Sequence, residues 1–517
     1  MTTRFIDEDF VAVWRQQDKR RRLATLAFGD EVEVLRQLPG WTEVRVVSYF
    51  DGTATGFIQG TPDLREDGIV RLSMVDVQQG DGLILETPSG KIVLIDGGDN
   101  KLFARHAAAR FRHKLGSATQ PLVVDAILIT HGDADHFSGL NDIRRSESLP
   151  ASKDEKRLFI RPRRVLTNGI VKAPSSVTDV DRLGTTVVRD GTRYLVDFFA
   201  DPRTAPPGAL NADFKDWNKT LDHWEQRGAI EFTRIFHGMP GRPFEFLENE
   251  GVGVEIQGPF TERLTHAGQE VDALPFFHAP RQAPELALEG EDPGAGSESS
   301  SHTINGHSIA LRLTYGNVRI SLTGDLNREA MQRMFARLRP DELEAEVLKA
   351  PHHGSSDFDI ATLRAAKPTV ALVSSGDEDT FHEHIHPRAT LIAGLGQSMP
   401  GRNGVVLTTE LTAFFHTRDD SSRRSVLRTY FADHEKATWD RAELVKLFAG
   451  QVDVGDPEAF FAFERTNFGI IHVRTDGERL LVFTHSGKEG LNEAYRMRVR
   501  EDSAGERDVS FEAVDTR

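Results

Sequence analysis

The chain has 517 residues, of which 27% are charged and 38% hydrophobic, and this balance is typical of a soluble globular protein. Cysteine is absent, which excludes disulfides, thiolate zinc sites and a cysteine nucleophile, so any metal must be held by nitrogen and oxygen atoms. The formal net charge of −16 argues against broad electrostatic binding to nucleic acid, although a local basic groove is compatible with it.

The sequence has no apolar run near the ~20 residues that a membrane helix needs. Met1 to Phe10 has neither the basic start nor the apolar core of a signal peptide. We therefore expect a cytoplasmic protein without a membrane partner. Domains mostly run to ~100–200 residues, so the length allows roughly two to four of them.

Residues 1–22 are predicted to form a short amphipathic helix ending in the charged run DKRRR, which is interpreted as a solvated helix end. In residues 23–64, short alternating segments are separated by glycine turns, a pattern that favours a small β-barrel. The turns Gly29-Asp30 and Gly40-Trp41 and the segment Gly56-Phe57-Ile58 resemble those of bacterial SH3-like domains. That resemblance implies a domain that binds a protein partner and carries out no chemistry.

The stretch ILITHGDADHFSG combines an apolar strand with four side chains that bind metal well, His131, Asp133, Asp135 and His136. On an extended or tightly turning segment, residues two apart project to the same side, so the first three can converge and His136 can reach them from the turn. Without a counterion, such a group would be very expensive to desolvate, and a divalent metal removes that cost. The alternative is a polar loop capping a helix that begins near Leu140.

Six motifs occur in the order seen in metallo-β-lactamase-fold hydrolases: MVDVQQGDGLIL, IVLIDGG, THGDADHFSGL, NGHSIALRLTYG, SLTGDLN and LKAPHHGSS. They are most similar to the branch related to the hydrolase domain of ComEC-type DNA-uptake proteins. The resemblance implies an αββα sandwich with a dinuclear metal site between the sheets. We therefore predict a hydrolase domain at residues 68–410 with an insertion at about 175–304, then a C-terminal helical segment and β-hairpin at 411–517.

By this resemblance, His131 and Asp133 bind one metal, Asp135 and His136 bind the other, and Asp325 bridges the two. Considered alone, Asp325 would be interpreted as the cap of a helix beginning near Asn327. Metal binding lowers the pKa of water from 15.7 to about 7 and so supplies the hydroxide that hydrolysis needs. Most of the family has histidine where this chain has Asp133, and the harder oxygen ligand moves the metal preference from zinc towards manganese or magnesium. The implied cofactors are thus two divalent ions, zinc or manganese.

Three later histidines belong to the same pattern. One of His352 and His353, in PHHGSS, is expected to coordinate metal while the other faces substrate or a carboxylate, the alternative being a polar turn. His386 matches the late histidine of the same branch, as a metal ligand or as a general acid that protonates the leaving group. Asp135 and His386 are therefore the candidate catalytic residues.

The third ligand of the first metal is less obvious. His307 in NGHS is the first candidate, with His237 and His302 behind it. Relatives often carry His-Asn-Gly where this chain has Thr167-Asn168-Gly169, so Asn168 is assigned a supporting position behind the ligands. Asp96, in DGG, is expected to orient a ligand histidine, and the alternative is an aspartate that only shapes a turn.

Two stretches carry no catalytic motif. Residues 279–301 are poor in large apolar side chains and rich in proline, glycine, serine and acid, a composition typical of a mobile loop. Residues 421–448 are predicted to form a charged helical section, which precedes the hairpin GIIHVRTDGERLLVFTH.

The sequence therefore predicts a metal-dependent hydrolase that uses a metal-bound hydroxide, with phosphodiesterase or nuclease activity favoured by the resemblance. A groove lined by Arg161, Arg163, Arg164 and Lys172 would favour phosphate, and a narrow apolar pocket would favour hydrolysis of a small ester, lactone or amide. The alternative from another class is a non-catalytic binding or scaffold protein with a degenerate metal site.

Overall fold

The computed structural model describes residues 3–48, 52–114, 117–280, 295–376, 386–402, 404–411, 466–467, 469–485, 493–501 and 507–514. None of the helices in these ranges combines the length and the apolar character needed to cross a bilayer.

The N-terminal part of the chain forms one antiparallel sheet. Its strands are β1 (Thr3–Ile6), β2 (Phe10–Trp14), β3 (Arg22–Ala27), β4 (Glu31–Leu38), β5 (Trp41–Ser48), β6 (Gly52–Gln59) and β7 (Leu64–Arg65), in the spatial order β3-β2-β6-β5-β4-β1-β7. Alternate residues face inwards, so that Val11, Val13, Val44 and Val46 share one core.

The predicted N-terminal helix at residues 1–22 is wrong, because β1 and β2 occupy this segment. Val11 and Val13 are buried while Phe10, Ala12 and Trp14 are only partly so, which is the period of two expected for a strand. The charged run read as a helix end is the exposed turn between β2 and β3, where Lys19 has a φ of 57°.

The next elements in the described ranges are β8 (Val70–Met74), β9 (Gly82–Glu86), β10 (Ile92–Asp96), α1 (Leu102–Arg110), β11 (Leu122–Val124), β12 (Ala126–Ile129), α2 (Ala134–Phe137), α3 (Leu140–Ser146), β13 (Ile160–Pro162), β14 (Arg164–Thr167), β15 (Thr186–Arg189), β16 (Thr192–Leu195), α4 (Ala212–Glu225), β17 (Glu231–Arg234), α5 (Glu245–Glu248), β18 (Val252–Gly258), β19 (Glu262–His266), β20 (Gln269–Pro275), β21 (His278–Pro280), β22 (Ala295–Glu298) and α6 (Ser300–Gly306).

The remaining elements are β23 (Ala310–Tyr315), β24 (Val318–Leu322), α7 (Arg328–Arg337), α8 (Pro340–Leu343), β25 (Val347–Lys349), α9 (Ile360–Ala366), β26 (Val370–Val373), α10 (Ala389–Ser398), β27 (Val405–Thr408), β28 (Glu410–Leu411), β29 (Thr466–Asn467), β30 (Ile470–Thr475), β31 (Arg479–His485), β32 (Ala494–Glu501) and β33 (Arg507–Ala513). Short 3₁₀ turns lie at Ala151–Lys156, Asp179–Asp181, Pro202–Thr204, Pro207–Ala209, His352–Gly354 and Pro400–Arg402.

Two large sheets form the body of the molecule. The first has the order β17-β14-β12-β10-β9-β8-β30-β31-β32-β33, and the second has the order β18-β23-β24-β25-β26-β27. Strands β10, β12, β14 and β17 run parallel to one another, as do β24 to β27. Several of these strands are apolar throughout, as expected for strands covered on both faces.

The layers follow from which side chains share a core. Leu128 of the first sheet and Leu372 of the second lie in one cluster between the sheets. On its outer face the first sheet packs against α1, α3 and α4 through residues such as Phe103 and Trp217. The second sheet packs against α7, α9 and α10, where Met331 is buried. The order is therefore helices, sheet, sheet and helices, as in an αββα sandwich.

The C-terminal strands extend the first sheet. β30 and β31 form a hairpin, and β30 pairs antiparallel with β8. The N-terminal sheet packs against this extension, where Arg474 donates to the carbonyl oxygen of Phe28 at 2.7 Å and lies 2.9 Å from Asp30. Phe10 also stacks edge-on against Phe483. Within the region predicted at 411–517, β30 to β33 thus belong to the main sheet, whereas β29 pairs with β28 in a separate two-stranded sheet.

The predicted insertion at about 175–304 is not a single segment outside the two main sheets. β17 and β18 within it belong to the two main sheets, β15, β16, β19 and β20 form a separate four-stranded sheet, and β21 and β22 form a two-stranded one. The mobile-loop prediction is wrong for residues 295–301, because β22 pairs with β21 and Ser299 caps α6. The remainder at 281–294 and the helical section predicted at 421–448 lie outside the described residues.

Candidate metal centre

The predicted ligand loop begins where β12 ends. β12 is buried on both faces and runs parallel to β10 and β14, so its chain leaves the sheet at the same edge where β10 ends at Asp96. The short helix α2 then turns the loop back over that edge. Gly80, from the neighbouring β8–β9 loop, has a φ of 103°, and a Cβ there would lie 1.8 Å from the carbonyl oxygen of Asp135. Only glycine lets the two loops approach this closely.

Four side chains converge at this edge, and we call Asp135, His136, Asp325 and His353 the central cluster. His353 Nε2 lies 2.9 Å from Asp325 Oδ2 and 3.6 Å from Asp135 Oδ2. His136 Nε2 lies 3.3 Å from Asp325 Oδ2 and 3.9 Å from Asp135 Oδ1. Asp325 stands just beyond the end of β24, so the cluster joins the first sheet to the second.

Asp96 holds His136 from behind. Its Oδ2 lies 2.9 Å from His136 Nδ1, while the Thr130 backbone N–H and hydroxyl donate to the same carboxylate at 2.8 and 2.7 Å. A proton on Nδ1 then leaves the Nε2 lone pair facing the cluster. Burial lowers the pKa of His136, but Asp325, Asp96 and Asp135 outweigh it and raise that pKa well above its usual value.

His131 lies beside the cluster, with its ring centroid 4.0 Å from that of His136. Its Nδ1 is 3.2 Å from the hydroxyl oxygens of both Thr130 and Ser308. The Ser308 hydroxyl also accepts from the backbone N–H of Asp325 at 2.9 Å. Burial is the main cause that holds the pKa of His131 well below its usual value.

Asp81 and Lys349 form a buried ion pair beneath the cluster that motif spacing did not reveal. Lys349 is 1% exposed, donates to the carbonyl oxygen of Gly324 at 2.8 Å and lies 3.6 Å from Asp325 Oδ1. Asp81 Oδ1 is 3.3 Å from His353 Nδ1. Burial lowers the pKa of Lys349, but Asp81 and Asp325 raise it, so the ammonium stays charged. A lysine that directly follows the buried apolar residues Val347 and Leu348 of β25 is the signal that could have found it.

The backbone at His352 and His353 is strained. Their φ angles are 46° and 51°, in the left-handed region where a non-glycine residue costs about 1–3 kcal/mol. This turn aims the His353 ring into the cluster, whereas His352 Nε2 lies further out, 3.8 Å from Asp325 Oδ2. Of the pair, His353 is the one whose ring lies among the ligand atoms.

Two alternatives based on helix capping do not fit the geometry. Asp133 stands at the first residue before α2 but makes no capping hydrogen bond, and instead forms an ion pair with Lys172. α7 is capped by the Asn327 side chain, which accepts from the Ala330 N–H, so Asp325 is not its cap.

The central cluster fits a divalent metal. Metal–ligand distances of about 2.0–2.2 Å put neighbouring ligand atoms of a tetrahedral site roughly 3.4 Å apart, close to the spacings above. Several of its buried ring nitrogens and carboxylate oxygens make no hydrogen bond of acceptable geometry, namely His136 Nε2, both ring nitrogens of His353 and Asp325 Oδ1. Imidazole and carboxylate ligands suit zinc and manganese.

Comparison with known families agrees with this geometry. Residues 75–197 match the family model described as the metallo-beta-lactamase superfamily. Over these residues the chain is similar to that superfamily. The match spans 123 of the 517 residues and includes Asp81, Asp96 and the ligand loop, while Asp325 and His353 lie beyond it. No curated protein matches this chain.

Other predicted site residues lie apart from the central cluster. His307 Nε2 lies 2.8 Å from the Pro275 carbonyl oxygen, and Asn168 donates to the His307 carbonyl oxygen at 2.9 Å. His302 Nε2 lies 2.9 Å from Asp357, and His237 Nδ1 lies 2.7 Å from the Ile256 carbonyl oxygen. None of the three histidine candidates for a third ligand joins the ligand groups found among the described residues.

His386 lies near the rim of the site. It is 8% exposed, and its ring centroid is 6.1 Å from that of His352. The predicted arginine groove is not assembled at the cluster, because Arg163 pairs with Asp125 and Arg164 with Glu231 near the start of β14, whereas the cluster lies at the strand ends.

Proposed function

We propose that the protein is a metal-dependent phosphodiesterase, similar to the hydrolase domain of ComEC-type proteins, with nucleic acid among its substrates. The observation that carries this proposal is that His136 Nε2, both ring nitrogens of His353 and Asp325 Oδ1 are buried in the central cluster and make no hydrogen bond of acceptable geometry. Such an arrangement is very expensive unless a cation completes it. The similarity to the metallo-β-lactamase superfamily supports hydrolysis as the reaction.

Asp135, His136, Asp325 and His353 would hold the metal. A bound divalent ion supplies Lewis acidity and makes water a stronger nucleophile at neutral pH. The protein orients the ligands. Asp96 accepts a hydrogen bond from the Nδ1–H group of His136, and this hydrogen bond directs the Nε2 lone pair of His136 towards the cluster.

The groups at the rim support an anionic substrate. The Lys172 ammonium lies beside Asp133 with its side chain 11% exposed, and it reaches Ser301 Oγ at 3.4 Å. His352 and His386 lie on another side of the cluster. A lysine and two histidines suit phosphoryl oxygens, which accept charge-assisted hydrogen bonds. In this proposal His386 gives a proton to the leaving oxygen.

The test is hydrolysis of bis(p-nitrophenyl) phosphate, p-nitrophenyl acetate and an acyl-homoserine lactone by the chain loaded with zinc or manganese. We expect cleavage of the phosphodiester and its loss by roughly 100-fold or more in Asp135→Asn, because that change removes a carboxylate from the central cluster. The matched control is Asp190→Asn, in a surface turn where the aspartate side chain is 95% exposed.

Each alternative gives its own result in this assay. Cleavage of the ester or the lactone without cleavage of the phosphodiester would contradict the proposed phosphodiesterase activity and favour a hydrolase of small esters or lactones. A folded chain that takes up no metal and cleaves none of the substrates would favour the scaffold protein.

We also propose that the N-terminal sheet is an SH3-like domain that binds a protein partner. Its antiparallel strands and the turns at Gly29 and Gly40, with φ of 79° and 74°, support this assignment. Binding by the sheet would leave the metal centre untouched, because the sheet packs against β30 to β32. Pull-down with the full chain and with a Trp41→Ala variant tests it.

A further inference from the structure

We propose that the centre binds one divalent cation, at the central cluster, and that the Lys172 ammonium takes the place of the second cation predicted from the family resemblance. This inference rests on the proposed metal-dependent function and concerns how many ions that function uses. The first position, predicted at His131 and Asp133, is completed by groups of the protein itself.

The two positions differ in how their ligand atoms are satisfied. At the central cluster, His136 Nε2, His353 Nε2 and Asp325 Oδ1 are buried without a hydrogen bond. At the first position, Asp133 Oδ1 is bound by the Lys172 ammonium. The other ligand atoms there face the Asn305 amide. In the orientation that satisfies its neighbours, the Asn305 nitrogen donates to Asp133 Oδ2 at 2.9 Å and lies 3.2 Å from His131 Nε2.

The Lys172 side chain is fixed in position by burial and by two polar contacts. Its side chain is largely buried at 11% exposure, and its ammonium has Asp133 on one side and Ser301 Oγ on another, at 3.4 Å. An ammonium has three donors and no acceptor, so it supplies to Asp133 the positive charge that a metal would supply. A cation entering between His131 and Asp133 would have to displace it or lie against a like charge.

Among the described residues, the other ligand atoms near His131 are those of His136 and Asp325, which already belong to the central cluster. The His307 imidazole turns away to the Pro275 carbonyl oxygen and packs against Phe277, with ring centroids 4.5 Å apart. Asn168 contacts the backbone of His307, not the cluster. The first position therefore has His131 and Asp133 as ligand residues of its own, both already contacted by protein donors, and it would have to share its remaining ligands with the central cluster.

The number of bound ions can be counted directly by native mass spectrometry of the full chain titrated with manganese, with electron paramagnetic resonance in parallel. We expect one ion per chain and the six-line signal of an isolated manganese ion. Asp135→Asn should lose the ion, and Asp133→Asn should keep it. Unfolding temperatures of each variant establish that it is folded.

Lys172→Met tests the role of the ammonium, and Lys215→Met, at an exposed lysine on α4, is its matched control. We expect Lys172→Met to bind a second ion with the exchange-coupled signal of a manganese pair, and Lys215→Met to keep one. A Lys172→Met chain that still binds a single ion refutes the role given to Lys172.

A wild-type chain that binds two ions, one of them lost in Asp133→Asn, overturns the inference while leaving the metal-dependent hydrolase intact. One ion without phosphodiester cleavage supports the inference and removes the proposed function. A folded wild-type chain that binds no ion overturns both.

Discussion

Glu86 provides a quantitative test of the buried ion pairs that hold β8, β9 and α1 together. Its carboxylate, with 4% of the side chain exposed, lies 2.8 Å from Arg71 and 2.6 Å from Arg110, and Arg71 also lies 3.8 Å from Asp30 of the N-terminal sheet. Burial raises the pKa of Glu86, but Arg110 and Arg71 outweigh it and lower that pKa from 4.5 to about 2.

A carboxylate with a lowered folded-state pKa stabilises the protein above its unfolded pKa, and this stabilisation is lost as the pH falls through the folded value. At 1.36 kcal/mol per pKa unit, the fall in the pKa of Glu86 from 4.5 to about 2 stabilises the folded state by about 3 kcal/mol at pH 7 and by about 1.4 kcal/mol at pH 3. Glu86→Gln should therefore lower the free energy of unfolding by about 3 kcal/mol at pH 7, and by about half of that at pH 3.

Urea unfolding followed by circular dichroism at both pH values measures the difference. The matched control is Glu66→Gln, at a glutamate 78% exposed that pairs with Arg4, where an effect of roughly 0–1 kcal/mol is expected. An equal difference between wild type and Glu86→Gln at pH 7 and pH 3 would refute the assignment of this stabilisation to the Glu86 charge.

Three further outcomes concern the metal centre. Asp96→Asn should weaken zinc or manganese binding by about 10–100-fold in a chelator competition assay, because His136 loses the partner that orients it, and an unchanged affinity would contradict that role. Lys349→Met should lower the free energy of unfolding in urea by about 3–5 kcal/mol, because it leaves Asp81 buried and unpaired. Adding Asp81→Asn should recover part of this loss. A double variant that is no more stable than Lys349→Met would contradict the pairing of the two residues. Metal affinity should rise from about pH 6 to about pH 8, because the pKa values of His136 and His353 are raised and both side chains must lose a proton to bind metal. Calorimetry should accordingly show a net release of protons on binding. A pH-independent affinity would exclude this coupling.

The N-terminal segment forms strands where its local sequence pattern predicts a helix. The charged run after Trp14 suggested the end of an amphipathic helix, yet Phe10 to Trp14 alternates buried and partly buried residues with period two. Five residues are too few to separate the two periods with certainty when aromatic side chains mark both faces. Pairing with β3 and β6 decided the conformation, because it buries Val11 and Val13 in a shared core.

The sequence by itself indicated the similarity to the metallo-β-lactamase superfamily and located the predicted ligand loop. An apolar strand followed by HGDADH places several ligands within six residues, and at such short separation the backbone alone brings them to one edge. Asp96 lies far from this loop in sequence, and it reaches the same edge because β10 pairs in parallel with β12.

The tertiary structure decided how distant groups complete the centre, including Asp325 and His353, which the family resemblance predicts among the ligands, and Lys349, which no motif predicts. Asp325, His353 and Lys349 come from the second sheet, and they meet the ligand loop because the two sheets pack face to face. The pairing of Lys172 with Asp133, the rotation of His307 away from the cluster and the choice of His353 over His352 likewise depend on packing. Spacing along the chain does not encode these contacts, because their partners lie far apart in sequence and are positioned by hydrophobic burial between layers.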